Sequence, residues 1–596
     1  MNGSRRPLHE VTRDLVAVAM GRRPADLVVR DGRWVNVHSG EILDHTDIAV
    51  VEGRIAYCGP NAKALIGPST RVIPARGRYL VPGLLDAHVH IESSMLTVSE
   101  FARAVLPHGT TGVFADPHEI ANVLGLRGVR LILDGAQGTP LRVYGQVPSC
   151  VPAAPGLETA GAALGPEEVA EALRWPEVVG LGEVMNYPGV VAGDEVVHAK
   201  IASALAAGKV VGGHYASPDL GPTFHAYAAG GPADCHEGTR PEDALARVRQ
   251  GMRAILRQGS AWQDLLAGVR GVCEAGIDLR HVLLCTDDRH AETILSHGHM
   301  DEVVRLTIEA GIPPVVAIQM ATLNTAEHFG VARDVGAIAP GRWADILLVP
   351  DLGRFSVDMV IAGGEVVDEG RTAVHPFASL PQPAWAKNTV RLARPLVAAD
   401  FAVGAPDREV EVWAIEVIEN QAPTRAVTMS LPVREGTVEL VPDVAYAAVV
   451  ERHQRSGRIG QGFVRGLGLA AGCALASTVA HDSHNLLVVG TDREAMARAG
   501  NQVAEEGGGV CLVRGEEVLA WIPLPIAGLL STGSAEEVAQ GMDALHEGLR
   551  RCGCTLTNAF MTLSLLALPV IPALRLTDQG LVDVESGSTI PLFREG

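Results

Sequence analysis

Between residues 80 and 340 short apolar runs recur at intervals, TTGVFAD, LRVYGQV, VVGLGEV, KVVGGH and HVLLCTDD, separated by stretches rich in Ala, Leu, Glu and Arg. This alternation constrains the fold more than any other feature of the chain. Strands that return after each helix-length segment pair in parallel, because a crossover helix carries the chain back to the same end of a sheet. About 250 residues of such units is the usual size of a closed barrel. The sequence therefore predicts a (β/α)8 barrel over residues 81–340 rather than an open sheet.

The flanks read differently. Residues 26–60 hold short β-rich runs, ADLVVRDG, RWVNV, DIAVVEG and RIAYCG, cut by Gly, Asp and Asn, and the same texture returns at 343–368 in WADILLVP and DMVIAGGEVVDEG. Short strands with tight turns read as antiparallel sheet. The expectation is a small β-sandwich domain built from both flanks, 1–80 and 341–375. After the Pro-rich connector HPFASLPQPAW, residues 386–596 mix strands with Gly/Ala-rich helices and form a further C-terminal α+β domain. Three units suit 596 residues, since a single core stops growing near 250–300 residues.

Composition narrows the class. Lys plus Arg total 49 against 69 Asp plus Glu, a net charge of −20, and such a field repels polyanions, so no nucleic-acid partner is expected. Nine scattered cysteines are not a disulfide framework and fit a reducing cytoplasm. The run Leu15–Met20 is too short for a signal h-region, and the apolar stretches at 466–480 and 565–574 fall below the roughly 18 residues of a membrane span. Neither export nor a transmembrane segment is expected.

The chemistry sits at strand ends. In PGLLDAHVHIESSM, residues 82–95, an apolar strand ends in His88 and His90, and alternation along a strand points i and i+2 to one face. A lone His-x-His is equally the pattern of an exposed strand edge. Here the later runs also end in ligand-type residues: VVGLGEV delivers Glu183, KVVGGH ends at His214, DCHE supplies His236 and HVLLCTDD ends at Asp287. A barrel gathers all such ends on one rim, where active sites lie. Four imidazoles, a carboxylate able to bridge and a terminal aspartate suffice for two divalent ions sharing a water made acidic by coordination. Asp287 is then placed to take that water's remaining proton.

This set resembles the amidohydrolase superfamily, whose barrel carries His-x-His after strand one, Glu or Lys after strand four, His after strands five and six and Asp after strand eight. ATLNTAEHFG at 321–330 and GAIAPGRWADILLV at 336–349 are similar to that superfamily's barrel end. More narrowly, the chain resembles the adenine deaminase family in HVHIESSM (88–95), FADPHEIANV (114–123), GEVMNYPGV (182–190), DCHEGT (234–239) and TDDRH (286–290), and in the C-terminal AHDSHNLLVVGTD (480–492) and PLPIAGLLS (523–531).

The resemblance implies metal ligands at His88, His90, Glu183, His214, His236 and Asp287, and a further acidic pair, Asp116 and Glu119, near the metals. It also implies manganese or iron, with zinc accepted by the same donors, a purine base as the small-molecule partner, and hydrolytic deamination of adenine in purine salvage. A homo-oligomer, dimer or tetramer, is expected. Deamination needs hydroxide at C6 and protons at N1 and at the departing amine. Asp287 and Glu119 are the candidates for these transfers, because Glu183 as a bridge has its charge held by both cations.

One departure stands out: where the family continues His-Ala/Cys-Pro-Gly after the strand-five histidine, this chain reads HYASPDLGPTFHAY, which brings Tyr215 and His225 into consideration. His481, Asp482, His484 and Asn485 form a polar cluster that either caps the barrel mouth or satisfies its own turn. The metal set alone is compatible with a cyclic amidase or a deacetylase, although Glu rather than Lys at 183 favours the deaminase. A non-catalytic assembly protein on the same fold is the reading from another class, and it requires lost ligands, whereas all six are present.

Overall fold

The computed structural model describes residues 6–374 and 377–594; the chain's first five and last two residues, and His375 and Pro376 of the Pro-rich connector, lie outside them. The chain folds as an α/β protein with a TIM-barrel-like core. Five parallel strands, Leu84–Val89, Thr110–Ala115, Arg142–Val147, Val178–Val184 and Val210–Gly213, form one sheet, and Asp234–Cys235, Arg253–Arg257 and Val282–Cys285 form a second. The two sheets meet at both margins. Val89 bridges Asp287 in parallel, and the Ala233 amide donates to the Val211 carbonyl at 2.8 Å. The strands are buried nearly end to end, as parallel strands covered on both faces must be.

The flanks pair across the barrel. Strands Leu27–Asn36, Glu41–Val51, Arg54–Gly59, Arg71–Pro74 and Tyr79–Pro82 precede it, and Ile346–Val349, Met359–Ala362, Glu365–Glu369 and Thr372–Ala373 follow it, all in one nine-stranded sheet. Tyr79–Pro82 and Ile346–Val349 join the halves antiparallel, with Leu80 opposite Leu348. Alternation sorts the sides: Leu27 and Val29 pack with Ile346 and Ile361, whereas Val28 packs under the helix Leu8–Ala19 against Val11, Leu15 and Val18. Of the apolar stretch near the N-terminus, Leu15 and Val18 lie on the buried face of an amphipathic helix, whereas Val16 and Met20 are exposed.

In the C-terminal region a second nine-stranded sheet runs from Glu409 to Pro523, with helices Arg493–Glu505 and Ala535–Arg551. The longer helix starts at Ser534, whose hydroxyl accepts from the Glu537 amide while the Glu537 carboxylate accepts from the Ser534 amide, a reciprocal cap that satisfies two amides left over at a helix start. What matters for the site is the connection between strands Cys473–Ser477 and Leu486–Gly490. Residues 478–485 are all buried, because they reach into the barrel rather than lie on the surface. Among the described residues no helix is long and apolar enough to cross a membrane.

Candidate metal centre

Strand one delivers His88 and His90 with their Nε2 atoms 3.1 Å apart. The strand is tied to strand eight through Asp86, which accepts from the Thr286 amide at 3.0 Å and from its hydroxyl at 2.5 Å. His90 Nδ1 donates to the Asp116 carbonyl at 2.9 Å. That bond fixes the tautomer and leaves the Nε2 lone pair facing inward, the arrangement that a metal-ligating imidazole needs. His88 stacks on His236 with ring centroids 4.1 Å apart, and burial together with its imidazole neighbours holds His88 well below the usual histidine range, in the neutral form a ligand requires.

Glu183, the last residue but one of Val178–Val184, stands between two groups of imidazoles. Its Oε1 lies 3.6 Å from His90 Nε2 and 3.4 Å from His118 Nδ1, and its Oε2 lies 2.6 Å from His214 Nδ1 and 3.0 Å from His236 Nε2. Asp287 closes the ring, with Oδ1 3.2 Å from His90 Nε2 and 3.7 Å from His88 Nε2. Ligand atoms of His88, His90 and Glu183 lie within 4.8 Å of one another, as do those of Glu183, His214 and His236, and of His88, His236 and Asp287. Neutral nitrogens and carboxylate oxygens converging from five strand ends fit divalent ions of borderline softness.

Asp287 has a left-handed backbone, φ 59°, a conformation costing of order 1–3 kcal/mol for a non-glycine residue and found where a site over-determines it. Burial alone pushes its carboxyl up, but the neighbouring imidazoles and the Arg257 guanidinium outweigh this and hold it well below the usual range. Arg257, at the end of strand seven, donates to Asp287 Oδ2 at 3.0 Å and to Asp264 at 2.9 Å, and also pairs with Glu237. Neither Arg257 nor Glu237 was singled out from the sequence, since RAILR, flanked by arginines, gives no strand-end signal, and Glu237 was only a neighbour of His236.

The acidic pair divides. Asp116 stands behind Glu183 and His90: its Oδ2 accepts from the Glu183 amide at 2.8 Å, and its carbonyl holds His90. Glu119 opens the helix His118–Leu124 and lies 3.2 Å from His118 Nε2, but its main partners come from the C-terminal region. His481 Nδ1 is 2.8 Å from Oε1, and His484 Nε2 bonds Oε2. Glu92 is also close; its Oε1 accepts from the Ile120 amide at 3.2 Å, its Oε2 has no partner, and burial beside Glu119 pushes it up to about 7. Tyr215 and His225 stay out of the cluster. The Tyr215 hydroxyl donates to the Asp219 carbonyl, and His225 is exposed on the helix Pro222–Ala229. Tyr227 takes the positioning role instead, accepting from the His214 amide and donating to the Val184 carbonyl, each at 2.8 Å.

Residues 79–367 match the amidohydrolase family, which sets the class as a metal-dependent hydrolase barrel. Residues 421–588 match the adenine deaminase C-terminal domain. The chain is 56% identical over 581 residues to adenine deaminase 3 of Rhizobium meliloti (strain 1021), covering 97% of this chain and 98% of that one. It is 55% identical over 592 residues to adenine deaminase of Mesorhizobium japonicum, covering 99% and 98%. The chain belongs to the adenine deaminase family.

Proposed function

We propose that this protein hydrolyses adenine to hypoxanthine and ammonia, a reaction of purine salvage. The observation that carries the reading is Glu183, whose two oxygens face separate sets of imidazoles, with Asp287 beside His88 and His90, in a chain similar to adenine deaminases over nearly its whole length. We assign His88, His90, Glu183, His214, His236 and Asp287 to a pair of divalent ions, manganese or iron, with zinc accepted by the same donors. Such ions, when bound, supply Lewis acidity that makes a water acidic near neutral pH.

The residues of the chain do the rest. In the reaction an oxygen–C6 bond forms, ring N1 takes a proton, and the C6–N bond breaks as the amine leaves with a further proton. Asp287, ionised and held by Arg257, accepts a proton from water at its carboxylate and returns it to the departing amine. Glu119 delivers a proton to ring N1 and is reprotonated by the second proton of the attacking water. Asp116 keeps the Glu183 and His90 side chains in register. A soluble, cytoplasmic homo-oligomer, dimer or tetramer, with a β domain over 1–80 and 341–375, a barrel over 81–340 and a C-terminal domain over 386–596 completes the reading.

The test is ammonia release by purified, metal-reconstituted protein from adenine, with adenosine, guanine and cytosine alongside and His88→Ala as control. Rapid release from adenine alone, lost in the variant, is expected. No release from adenine by protein carrying metal would overturn the substrate assignment and move it to another C–N bond.

A further inference from the structure

We propose that His484 and His481, carried by the C-terminal region, are positioning residues for the barrel carboxylate Glu119, so that the site for deamination is complete only when the two regions are docked. The inference rests on the role given above to Glu119 and extends it to a turn whose His484 is 365 positions away in sequence.

The donor pattern is specific. The Ala480 amide donates to His484 Nδ1 at 3.2 Å, so that nitrogen carries a lone pair and the proton of the neutral ring sits on Nε2. His484 Nε2 is therefore a donor, and it is aimed at Glu119 Oε2. The same tautomer argues against an ion at Glu119, His481 and His484, because a coordinating nitrogen needs its lone pair. His90 shows the opposite arrangement, with Nδ1 donating to the Asp116 carbonyl and Nε2 turned toward His88, Glu183 and Asp287. His481 Nδ1 approaches the other oxygen, Oε1, at 2.8 Å. Each oxygen of Glu119 thus meets an imidazole from another region of the chain, which fixes the rotation of the carboxylate.

The turn that presents these rings is built for the purpose. His484 has φ 51°, a left-handed conformation unfavourable for a non-glycine residue. Its carbonyl accepts from the fully buried Arg452 guanidinium, which also donates to the Ala527 carbonyl and the Thr389 hydroxyl at 3.0 Å. His453 Nε2 contacts the Ser483 carbonyl at 2.8 Å, and Asn485 donates to the Thr159 carbonyl of the barrel at 2.8 Å. A turn that only satisfied itself would not need a buried arginine behind it and a barrel carbonyl beside it.

The experiment measures kcat, KM for adenine, metal content and thermal midpoint of the full-length enzyme and of Glu119→Gln, His484→Ala, His484→Gln and the double variant Glu119→Gln/His484→Ala. Expected is a fall in kcat of roughly tenfold or more in His484→Ala, within the range of a misplaced proton-transfer group, with KM and metal content unchanged. His484→Gln, whose amide N–H lies near the position of Nε2, restores most of kcat, and the double variant is no slower than Glu119→Gln. Wild-type kcat in His484→Ala, effects that multiply in the double variant, or a loss in His484→Gln as large as in His484→Ala overturns the inference. If Glu119→Gln keeps full kcat, the role of Glu119 falls and this inference with it. If Glu119→Gln stops turnover and His484→Ala does not, the inference alone falls.

Discussion

A single methyl group placed at Gly182 tests whether Asp116 sets the position of Glu183. A Cβ there meets the Asp116 carboxylate, closest at Oδ2 and 2.6 Å from Cγ and 2.8 Å from Oδ1, all well inside the 3.4 Å at which ordinary contact begins. Asp116 has little room to yield. It is fully buried, its amide donates to the Val89 carbonyl at 3.1 Å, its carbonyl holds His90 and its Oδ2 holds the Glu183 amide. The methyl must displace either the carboxylate or strand Val178–Val184, and both routes move Glu183. Overpacking of this kind costs about 1–3 kcal/mol, and a buried amide left unpaired costs about 1–3 kcal/mol more. Misplacing a reacting group by about 1 Å costs on the order of a hundredfold in rate. Gly182→Ala is therefore expected to lower kcat for ammonia release roughly a hundredfold, together with the thermal midpoint. Because the clash is with the carboxylate, Gly182→Ala/Asp116→Ala should be no less stable than Asp116→Ala alone. Full kcat in Gly182→Ala, or a double variant less stable than Asp116→Ala, refutes the claim that Asp116 transmits the strain.

Two further perturbations probe buried charge. Arg257→Met removes the guanidinium shared by Asp287, Asp264 and Glu237; stranding buried carboxylates costs about 3–5 kcal/mol, so the melting temperature and kcat should both fall, and an unchanged melt would show that these pairs contribute nothing. At Glu158, burial, with the negative charges of Asp482 and Asp578, pushes the carboxyl up to about 8 from 4.5. Its folded-state pKa is raised, so the stability tied to its protonated form is present below about pH 4.5 and is lost as pH rises through about 8. Glu158→Gln should match the parent at pH 4.5 and melt higher at pH 9, whereas a constant offset across pH would show that the carboxyl does not titrate in the fold.

How much was legible follows from what kind of information each feature needs. His88, His90, Glu183, His214 and Asp287 could be read because each follows or ends a run of apolar residues, and a parallel barrel turns that order along the chain into convergence on one rim. Pairing of the flanks could be read because strand texture on both sides left edges that only each other could cover. Strand seven was harder: Arg253–Arg257 has an arginine at each end, so its periodicity is lost although Ala254, Ile255 and Leu256 are buried. Asp234–Cys235, at two residues, is too short to show any period at all.

The partners of Glu119 belong to a different order of information. Nothing within a helix turn or a strand of Glu119 encodes His481 and His484, because their meeting depends on how the barrel and the C-terminal region pack into one continuous core. The sequence showed a polar turn, HDSHN, and left open whether it faced the barrel or satisfied itself. What decides between these is burial. Eight consecutive residues from Thr478 to Asn485 lose their contact with solvent, and polar side chains taken out of water need partners. Glu119, His118 and Thr159 of the barrel are among those partners. A substitution that loosens the C-terminal region, such as one at Arg452, should then reduce turnover without altering a single metal ligand. That route to inactivation cannot be found by inspecting the barrel rim alone.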